Sequence, residues 1–401
     1  GDVSMPSVTA EIQVNAPVKF AYRAFTNSTS LREWLCDIAT VEPHPRGRIY
    51  LWWRGDFYSS GHYIELVENK KVVFQWYSNQ DPEPTQVTIT VTEKGDGTHV
   101  KLDHAIPDDG SWILAATEFL KNWEDSLQNL KSVLETGIDL RIAHRPMLGI
   151  LPGDFTPEQA ATLGVPVHAG MRLDGVVDGM GAQKSGLQRD DVIVEMAGKP
   201  ITNDFNTLPL AIAGKKGGDT VDVVIYRGTE RKTIAMQLSK RPMPDVPFNP
   251  VELATKARAL FEPALAELEK VFEGYSDEQA MQRPDPKEWS ALEIVAHLIQ
   301  GERFNFTYLS SLIDGYELTS DGFGTNINAA VQAAVKANPS IKLMLAALRR
   351  SVEELLAYTE LIPDEFIANK GSYYRFGSIL LQPNFHLAAH TQQIKDALAA
   401  T

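Results

Sequence analysis

The spacing of the apolar residues changes twice along this chain of 401 residues. Residues 7–105 contain short runs in which apolar and polar side chains alternate, which is typical of half-buried strands. Residues 146–240 contain short strand-like runs separated by glycine-rich turns. From residue 248 the apolar residues recur at spacings of three and four, which indicates amphipathic helices. These patterns predict a multidomain α+β protein.

Length, charge and cysteine content narrow the possible classes of protein. A chain of this length is too long to fold around one ordinary hydrophobic core, so two to four domains are expected. The net charge of −14 argues against nucleic acid or an anionic membrane as the main partner. No apolar run approaches the ~18 residues of a membrane span. The N-terminus lacks the pattern of a secretory signal, so a cytoplasmic location is expected. The single cysteine, Cys36, excludes a disulfide framework and a cysteine-rich zinc site.

Residues 1–137 alternate between strand and helix patterns in a recognisable order. A strand is followed by a helix that Pro17 opens and that is expected to end near Phe25, then by several strands and a long amphipathic helix. This order resembles the START-like (SRPBCC) superfamily, in particular the homologues of the activator of heat-shock-protein ATPase. The likeness lies in residues 15–17, 31–34, 47–50, 61–66 and 72–76.

The resemblance implies a helix-grip fold, in which a curved sheet wraps around the long helix and a cavity between them varies in content. Three tryptophans are candidates for a hydrophobic pocket in that cavity: Trp34, Trp53 and Trp76. The alternative is that these side chains are ordinary core residues.

Residues 146–240 resemble a PDZ domain of the bacterial protease-associated kind, a small β-sandwich or barrel. The likeness lies in residues 147–150, 181–187, 190–194, 197–201 and 218–221. It implies that the backbone of Leu148, Gly149 and Ile150 captures the terminal carboxylate of an extended peptide. Leu208 and Ile212 are expected to form the far wall of the groove. Alternatively, this domain only packs against its neighbours.

Residues 248–401 are predicted to form a four-helix bundle with a long central crossover. The first helix is expected over residues 250–272 with Pro263 inside it, and the second begins at the capping box of Ser290 and Glu293. Asn338 is the expected cap of the third helix, and the fourth is expected to begin near Gly377 and to run to the C-terminus. The four prolines of residues 239–250 predict a stiff, extended spacer before the bundle.

Three histidines of the bundle are the strongest chemical signal in the chain. His386 and His390 are four residues apart, which places them on one helix face about 6 Å apart along the axis. His297 lies in another predicted helix and can complete a site of three protein ligands with one position open for water or substrate. Neutral imidazoles suit a divalent metal such as zinc or nickel. Gln393, one turn after His390, can hydrogen-bond a ligand or the bound water.

This segment resembles the DinB-like superfamily, which includes metal-dependent thiol transferases and hydrolases. The likeness rests on Trp289 and Ser290 before the helix with His297, and on residues 386–394. The family's three ligand positions fall on His297, His386 and His390. Thr391 and Gln392 stand where members commonly have Arg and Gly. The alternative to a metal site is a set of buried histidines that hydrogen-bond to their neighbours.

Two classes of function follow from these patterns. The chain is either a metal-dependent thiol transferase or hydrolase whose PDZ domain recruits a peptide, or a non-catalytic adaptor in a stress response. The adaptor would bind a peptide C-terminus and a small hydrophobic ligand or a chaperone. In the enzyme hypothesis the ligand of the bundle is a small or thiol-bearing molecule.

Overall fold

A computed structural model describes residues 7–107, 113–318, 327–382 and 385–401, without the side chains of residues 113–115, 327 and 385–386. The chain divides into two compact units. One unit contains Gly1–Asp139 together with Pro244–Thr401, and the other contains Leu140–Met243. The first and third segments of the sequence therefore share one compact unit, and the middle segment is inserted between them.

The N-terminal part of the first unit is an antiparallel sheet with a long helix packed on it. Its strands follow the order β1-β7-β6-β5-β4-β3-β2. Trp123, Leu127 and Leu130 of the long helix are buried in the core that the sheet encloses, which confirms the predicted helix-grip architecture. The elements are β1 (Ser7–Val14), α1 (Val18–Arg23), α2 (Ser28–Trp34), β2 (Ile38–Val41), β3 (Arg48–Trp53), β4 (Phe57–Val67), β5 (Lys71–Trp76), β6 (Thr85–Lys94), β7 (Gly97–Ala105) and α3 (Ile113–Thr136).

The helix expected from Pro17 to Phe25 ends earlier, and a second helix follows it. The Asn27 side chain accepts a hydrogen bond from the Ser30 backbone N–H and caps α2. A side-chain cap of this kind satisfies an otherwise unpaired N–H group and begins a new helix.

The second unit is a small antiparallel sheet with short helices. The sheet path is β13-β12-β10-β9-β8, with β11 paired to β10. Four short helices occur in this unit. The elements are α4 (Leu140–Ala143), β8 (Ile150–Gly153), α5 (Pro157–Leu163), β9 (Met171–Val176), α6 (Gly181–Lys184), β10 (Val192–Met196), β11 (Lys199–Pro200), α7 (Thr207–Ala211), β12 (Thr220–Arg227) and β13 (Glu230–Gln237).

The C-terminal part of the first unit is the predicted helical bundle. Its long helices α8, α10, α12 and α15 pack against one another. No helix among the described residues is long and apolar enough to cross a membrane. The elements are α8 (Pro250–Val271), α9 (Asp277–Met281), α10 (Ala291–Ile313), α11 (Ile327–Ala337), α12 (Ile341–Glu360), α13 (Asp364–Ala368), α14 (Lys370–Leu381) and α15 (Phe385–Ala399).

Two helix ends in the bundle differ from the prediction. Ser340, and not Asn338, caps α12, since its hydroxyl accepts a hydrogen bond from the Leu343 N–H. The expected fourth helix is two helices, α14 and α15. Gln382 has an extended backbone, as expected for a residue before proline, and α14 ends there. Pro383 itself lies outside the described residues.

The proline-rich segment before the bundle is not a free spacer. The Tyr374 and Tyr373 hydroxyls of α14 donate to the carbonyl oxygens of Pro244 and Pro247, each at 2.8 Å. Val246 is buried, and its side chain lies against Gly377. Proline has no backbone N–H, so a proline-rich segment forms few backbone hydrogen bonds of its own. Here two of its carbonyl oxygens accept hydrogen bonds from side chains instead. The segment is therefore held along α14.

Candidate functional site

The structure brings two of the three predicted metal ligands together. The ring centroids of His297 on α10 and His390 on α15 are 4.9 Å apart, and the rings are inclined by 71°. His386 lies one turn before His390 on α15, and its side chain lies outside the described residues. Among the side chains that are described, no group of three or more His, Cys, Asp or Glu residues could hold a metal ion.

Gln393 contacts the histidine that it was expected to orient. Its Oε1 lies 2.8 Å from Nδ1 of His390. An amide oxygen only accepts hydrogen bonds, so in this contact Nδ1 of His390 is the donor, which leaves Nε2 as the nitrogen that can face a ligand. A ligand whose other nitrogen is held in this way has a fixed tautomer and ring orientation. Thr391, at the position where the family commonly has Arg, donates instead to the Leu387 carbonyl oxygen at 2.8 Å.

The first turn of α10 is anchored by a network around Glu293. The capping box predicted from the sequence is present, because the Ser290 N–H donates to Glu293 at 2.7 Å and the Glu293 N–H donates to Ser290 Oγ at 3.3 Å. Arg283 adds a bidentate pair to the same carboxylate. Burial alone would raise the pKa of Glu293, but these hydrogen bonds hold it below its ordinary value. His297 follows one turn later, with its ring 5.1 Å from Trp289.

One buried carboxyl of the bundle was not predicted from the sequence. Glu302 on α10 lines a small cavity whose other lining residues are all apolar: Phe261, Leu265, Leu298, Leu348, Val352 and Leu387. Its Oε2 is buried without a hydrogen-bond partner in the described part of the chain. Burial raises the pKa of Glu302 to about 7, against an opposing hydrogen bond from Asn305. The available signal was its position four residues after Leu298, on the apolar stripe of α10.

The predicted peptide site lies at the edge of the second unit's sheet. β8, which begins at Ile150, ends the sheet path. The carbonyl oxygens of Leu148 and Gly149 accept from Ala182 and Val177, at 3.2 and 2.7 Å. Gly149 has φ +74°, and a Cβ there would lie 2.3 Å from Met180, so the loop needs glycine.

The expected far wall of that groove is largely buried. Leu208 and Ile212 belong to the hydrophobic core of this unit, and Leu148 and Ile150 pack against the same core. The structure thus brings the predicted loop and wall residues to one apolar cluster.

Only two of the three predicted pocket tryptophans contact each other. The rings of Trp53 and Trp76 are 5.9 Å apart, within a cluster that also contains Phe57 and Trp123. Trp34 packs edge-on against Phe25 instead, and its indole N–H donates to the Ala24 carbonyl oxygen at 2.9 Å.

Comparison with family models finds three domains in the order expected from the sequence. The model described as activator of Hsp90 ATPase homolog 1-like protein matches residues 15–135, the PDZ domain matches residues 138–238, and the DinB superfamily matches residues 260–394. The chain is therefore a multidomain protein with a START-like, a PDZ and a DinB-type domain.

The curated relatives are similar to about a quarter of the chain. A probable periplasmic serine endoprotease DegP-like of Marinomonas sp. (strain MWYL1) is 32% identical over 24% of this chain and 21% of its own length. The serine protease Do-like HtrA of Bacillus subtilis (strain 168) is 24% identical over 28% of this chain and 27% of its own length. The chain thus spans about a quarter or less of these relatives. Among solved structures, the Aha1 dimer from Colwellia psychrerythraea is 20% identical, with a TM-score of 0.30, over 33% of this chain and 97% of that one.

Proposed function

We propose that the C-terminal bundle holds a divalent metal ion, zinc or nickel, on His297, His386 and His390. The observation that carries the proposal is the 4.9 Å approach of two imidazole rings from separate helices, one of them oriented by Gln393. Neutral imidazoles, one of them held in orientation by Gln393, are a suitable donor set for such an ion. The DinB superfamily match over residues 260–394 supports the same assignment.

We propose further that this centre makes the chain a thiol transferase or hydrolase. A metal ion with three histidine ligands would supply an electrophile that lowers the pKa of a bound water or thiol. The protein's own contribution is orientation: Gln393 fixes the ring of His390, and the capping network of Glu293 fixes the start of the helix that carries His297.

Metal content tests the centre directly. Untagged protein, purified without chelator or nickel resin, should contain about one zinc or nickel ion per chain by elemental analysis. His390→Ala should lose that ion. His168→Ala is the matched control, because His168 is an exposed histidine of the second unit, and it should keep the ion. An unchanged metal content in His390→Ala would refute the site.

Turnover separates the enzyme from the adaptor hypothesis. A small thiol and an electrophilic acceptor should react at a metal-dependent rate that His390→Ala abolishes and His168→Ala preserves. A protein that binds the metal but shows no such rate with thiol or ester substrates would favour the adaptor.

We also propose that the PDZ domain binds the C-terminus of an extended peptide, as PDZ domains generally do. The position of β8 at the end of the sheet supports this, because a strand added there would continue the ladder. A library of fluorescent peptides with free C-termini should yield ligands whose amidated versions bind at least tenfold more weakly. Equal binding of the free and amidated forms would argue against carboxylate capture by Leu148, Gly149 and Ile150.

A further inference from the structure

Glu302 is a carboxyl in a place where a folded protein rarely keeps one. Its cavity lies among α8, α10, α12 and α15, and the other side chains that line it are apolar. Its Oε2 has no hydrogen-bond partner in the described part of the chain. Burying a polar group without a partner costs free energy, so such a group in a native structure calls for an explanation. A leucine would fill the site at lower cost.

The described side chains that line the cavity around Glu302 carry no compensating charge. α8 contributes Phe261 and Leu265, α12 contributes Leu348 and Val352, and α15 contributes Leu387. The charged neighbours on the outer sides of α8 and α12 are engaged with each other instead. Arg349 binds Glu262 at 3.0 Å, and Arg258 binds Glu353 at 2.7 Å. On α10, the adjacent Arg303 is exposed, and His297 lies five residues before Glu302. On α15, His390 lies three residues after Leu387.

Glu302 lies between one and two helical turns after His297 along the axis of α10. It follows His297 by five residues on α10, which is about 7.5 Å along the axis. Across the cavity, Leu387 precedes His390 by three residues on α15, which is about 4.5 Å. The cavity also borders on Leu298, the residue next to His297. Its volume of about 10 Å³ is close to the space that one water molecule needs.

We infer that Glu302, which lies between one and two turns after His297 on α10, is the proton acceptor of the histidine centre. This inference rests on the proposed function. When a thiol or water bound at the centre loses its proton, the S–H or O–H bond breaks and the electron pair stays on sulfur or oxygen. A new O–H bond forms at the Glu302 carboxylate, through one intervening water. The proton later leaves to solvent or to the leaving group, so no further reactant is required.

The charge of a metal ion at the histidines should reach Glu302. In the metal-free protein, burial holds the pKa of Glu302 at about 7, so about half of the molecules carry this proton at pH 7. The double positive charge of an ion held by the histidines would favour the ionised carboxylate and bring that pKa down towards its ordinary range. Metal binding at pH 7 should therefore expel about half a proton from Glu302, in addition to the protons that leave the histidines.

Two measurements on the full-length, untagged chain test this. The first is a carbon-13 NMR titration of metal-free protein labelled at glutamate side chains, with the Glu302 resonance identified by its absence in Glu302→Gln. The second is calorimetry of zinc binding at pH 7 in buffers of different ionisation enthalpy, which counts the protons released. Glu302→Gln keeps the shape of the side chain and removes a buried charge, so it should fold. Glu354→Gln, at an exposed position of α12, is the matched control.

The expected result is a Glu302 midpoint near pH 7 and a proton count about 0.5 lower in Glu302→Gln than in the wild type. The zinc stoichiometry should not change, and Glu354→Gln should match the wild type. A midpoint near 4.5, or equal proton counts in Glu302→Gln and wild type, would overturn the inference while leaving the metal centre intact. No zinc-binding heat in the wild type would overturn the metal centre and this inference with it.

Discussion

Two buried ionisable side chains of the first compact unit have pKa values that move in opposite directions for one reason. Burial favours the neutral form of both groups, so it lowers the pKa of His104 to about 4 and raises that of Glu302 to about 7. His104 is fully paired: Trp123 Nε1 donates to its Nδ1 at 3.1 Å, and its Nε2 lies 2.7 Å from Thr85 Oγ1. Since Nδ1 accepts, Nε2 carries the proton and donates to Thr85.

Acid should weaken the fold through His104. Its pKa is lower in the folded state than in the unfolded state, so its stabilising contribution is present above about pH 6.5 and is lost as the pH falls towards 4. The loss should reach about 2 kcal/mol by pH 5. His104→Gln should be less stable at pH 7.5 by about 1–3 kcal/mol because its partners lose hydrogen bonds. Its stability should depend less on pH between 7.5 and 5 in urea denaturation. Parallel pH profiles would show that His104 does not cause the acid sensitivity.

Glu302 should produce the opposite pH dependence. Its raised pKa means that its protonated form stabilises the fold fully below about pH 4.5, and that this contribution is lost as the pH rises through 7. Replacing it with Gln should therefore stabilise the protein at pH 8 by up to about 3 kcal/mol and much less at pH 5. Urea denaturation of metal-free protein at the two pH values measures the difference. A variant that is less stable than the wild type at pH 8 would mean that the carboxylate has a stabilising partner.

At the scale of single helices, the local sequence predicts an end where a side chain makes a cap. The capping box of Ser290 and the interior position of Pro263 in α8 were both predicted and are confirmed. The sequence predicts Asn338 as the cap of α12, because Pro339 follows it and proline suits a first helical position. Ser340 is the cap in the structure, because its hydroxyl accepts from the Leu343 N–H. The Asn338 side chain instead donates to the Ala334 carbonyl oxygen of the preceding helix. Such competition between adjacent caps depends on tertiary packing, which a local pattern does not contain.

The Ser290 cap should matter for the helix that carries His297. Ser290→Ala removes the acceptor for the Glu293 N–H and should lower the free energy of unfolding by about 1 kcal/mol. Ser290→Asp keeps an N-cap acceptor, although its charge faces Glu293, so it should recover part of that loss. Chemical denaturation of the three proteins checks the order. An alanine variant as stable as the wild type would show that the other hydrogen bonds to the Glu293 carboxylate, from the backbone N–H of residue 290, from Arg283 and from Gln332, are enough to hold this turn in place.

At the scale of the molecule, residues far apart in sequence form one charged cluster inside the first compact unit. Ser372 donates to Glu33, and Arg375 pairs with Glu317, which also accepts from Arg32 at 2.8 Å. Burial raises the pKa of Glu33, and the nearby Arg375 guanidinium opposes that rise. Helix α14 therefore joins the bundle to α2 and α3 of the N-terminal sheet domain.

The three domain families could be predicted from the sequence, because each domain shows a characteristic apolar spacing and set of turn motifs over about 100 residues or more. The packing of the first domain against the third could not be predicted from the sequence. Glu33 and Ser372, which form one of its contacts, are 339 positions apart, and each resembles an ordinary helix residue. The buried position of Glu302 could not be predicted either, because its one local signal, the place four residues after Leu298 on the apolar stripe, is shared with ordinary polar residues at the edge of such a stripe.

The joined domains should stay together when the chain is cut. Protease sites placed in residues 144–146 and 240–243 should leave the first and last fragments, which end near residue 145 and begin near residue 242, associated in gel filtration, because the cluster around Arg375 is buried. Arg375→Ala removes the main cation near Glu33 and leaves Glu317 paired with Arg32 only, which should cost up to about 5 kcal/mol and let the cut fragments separate. Lys19→Ala removes the exposed pair with Glu365, which contributes little, and should not. If the fragments separate as readily with Lys19→Ala as with Arg375→Ala, the cluster around Arg375 does not hold the two domains together.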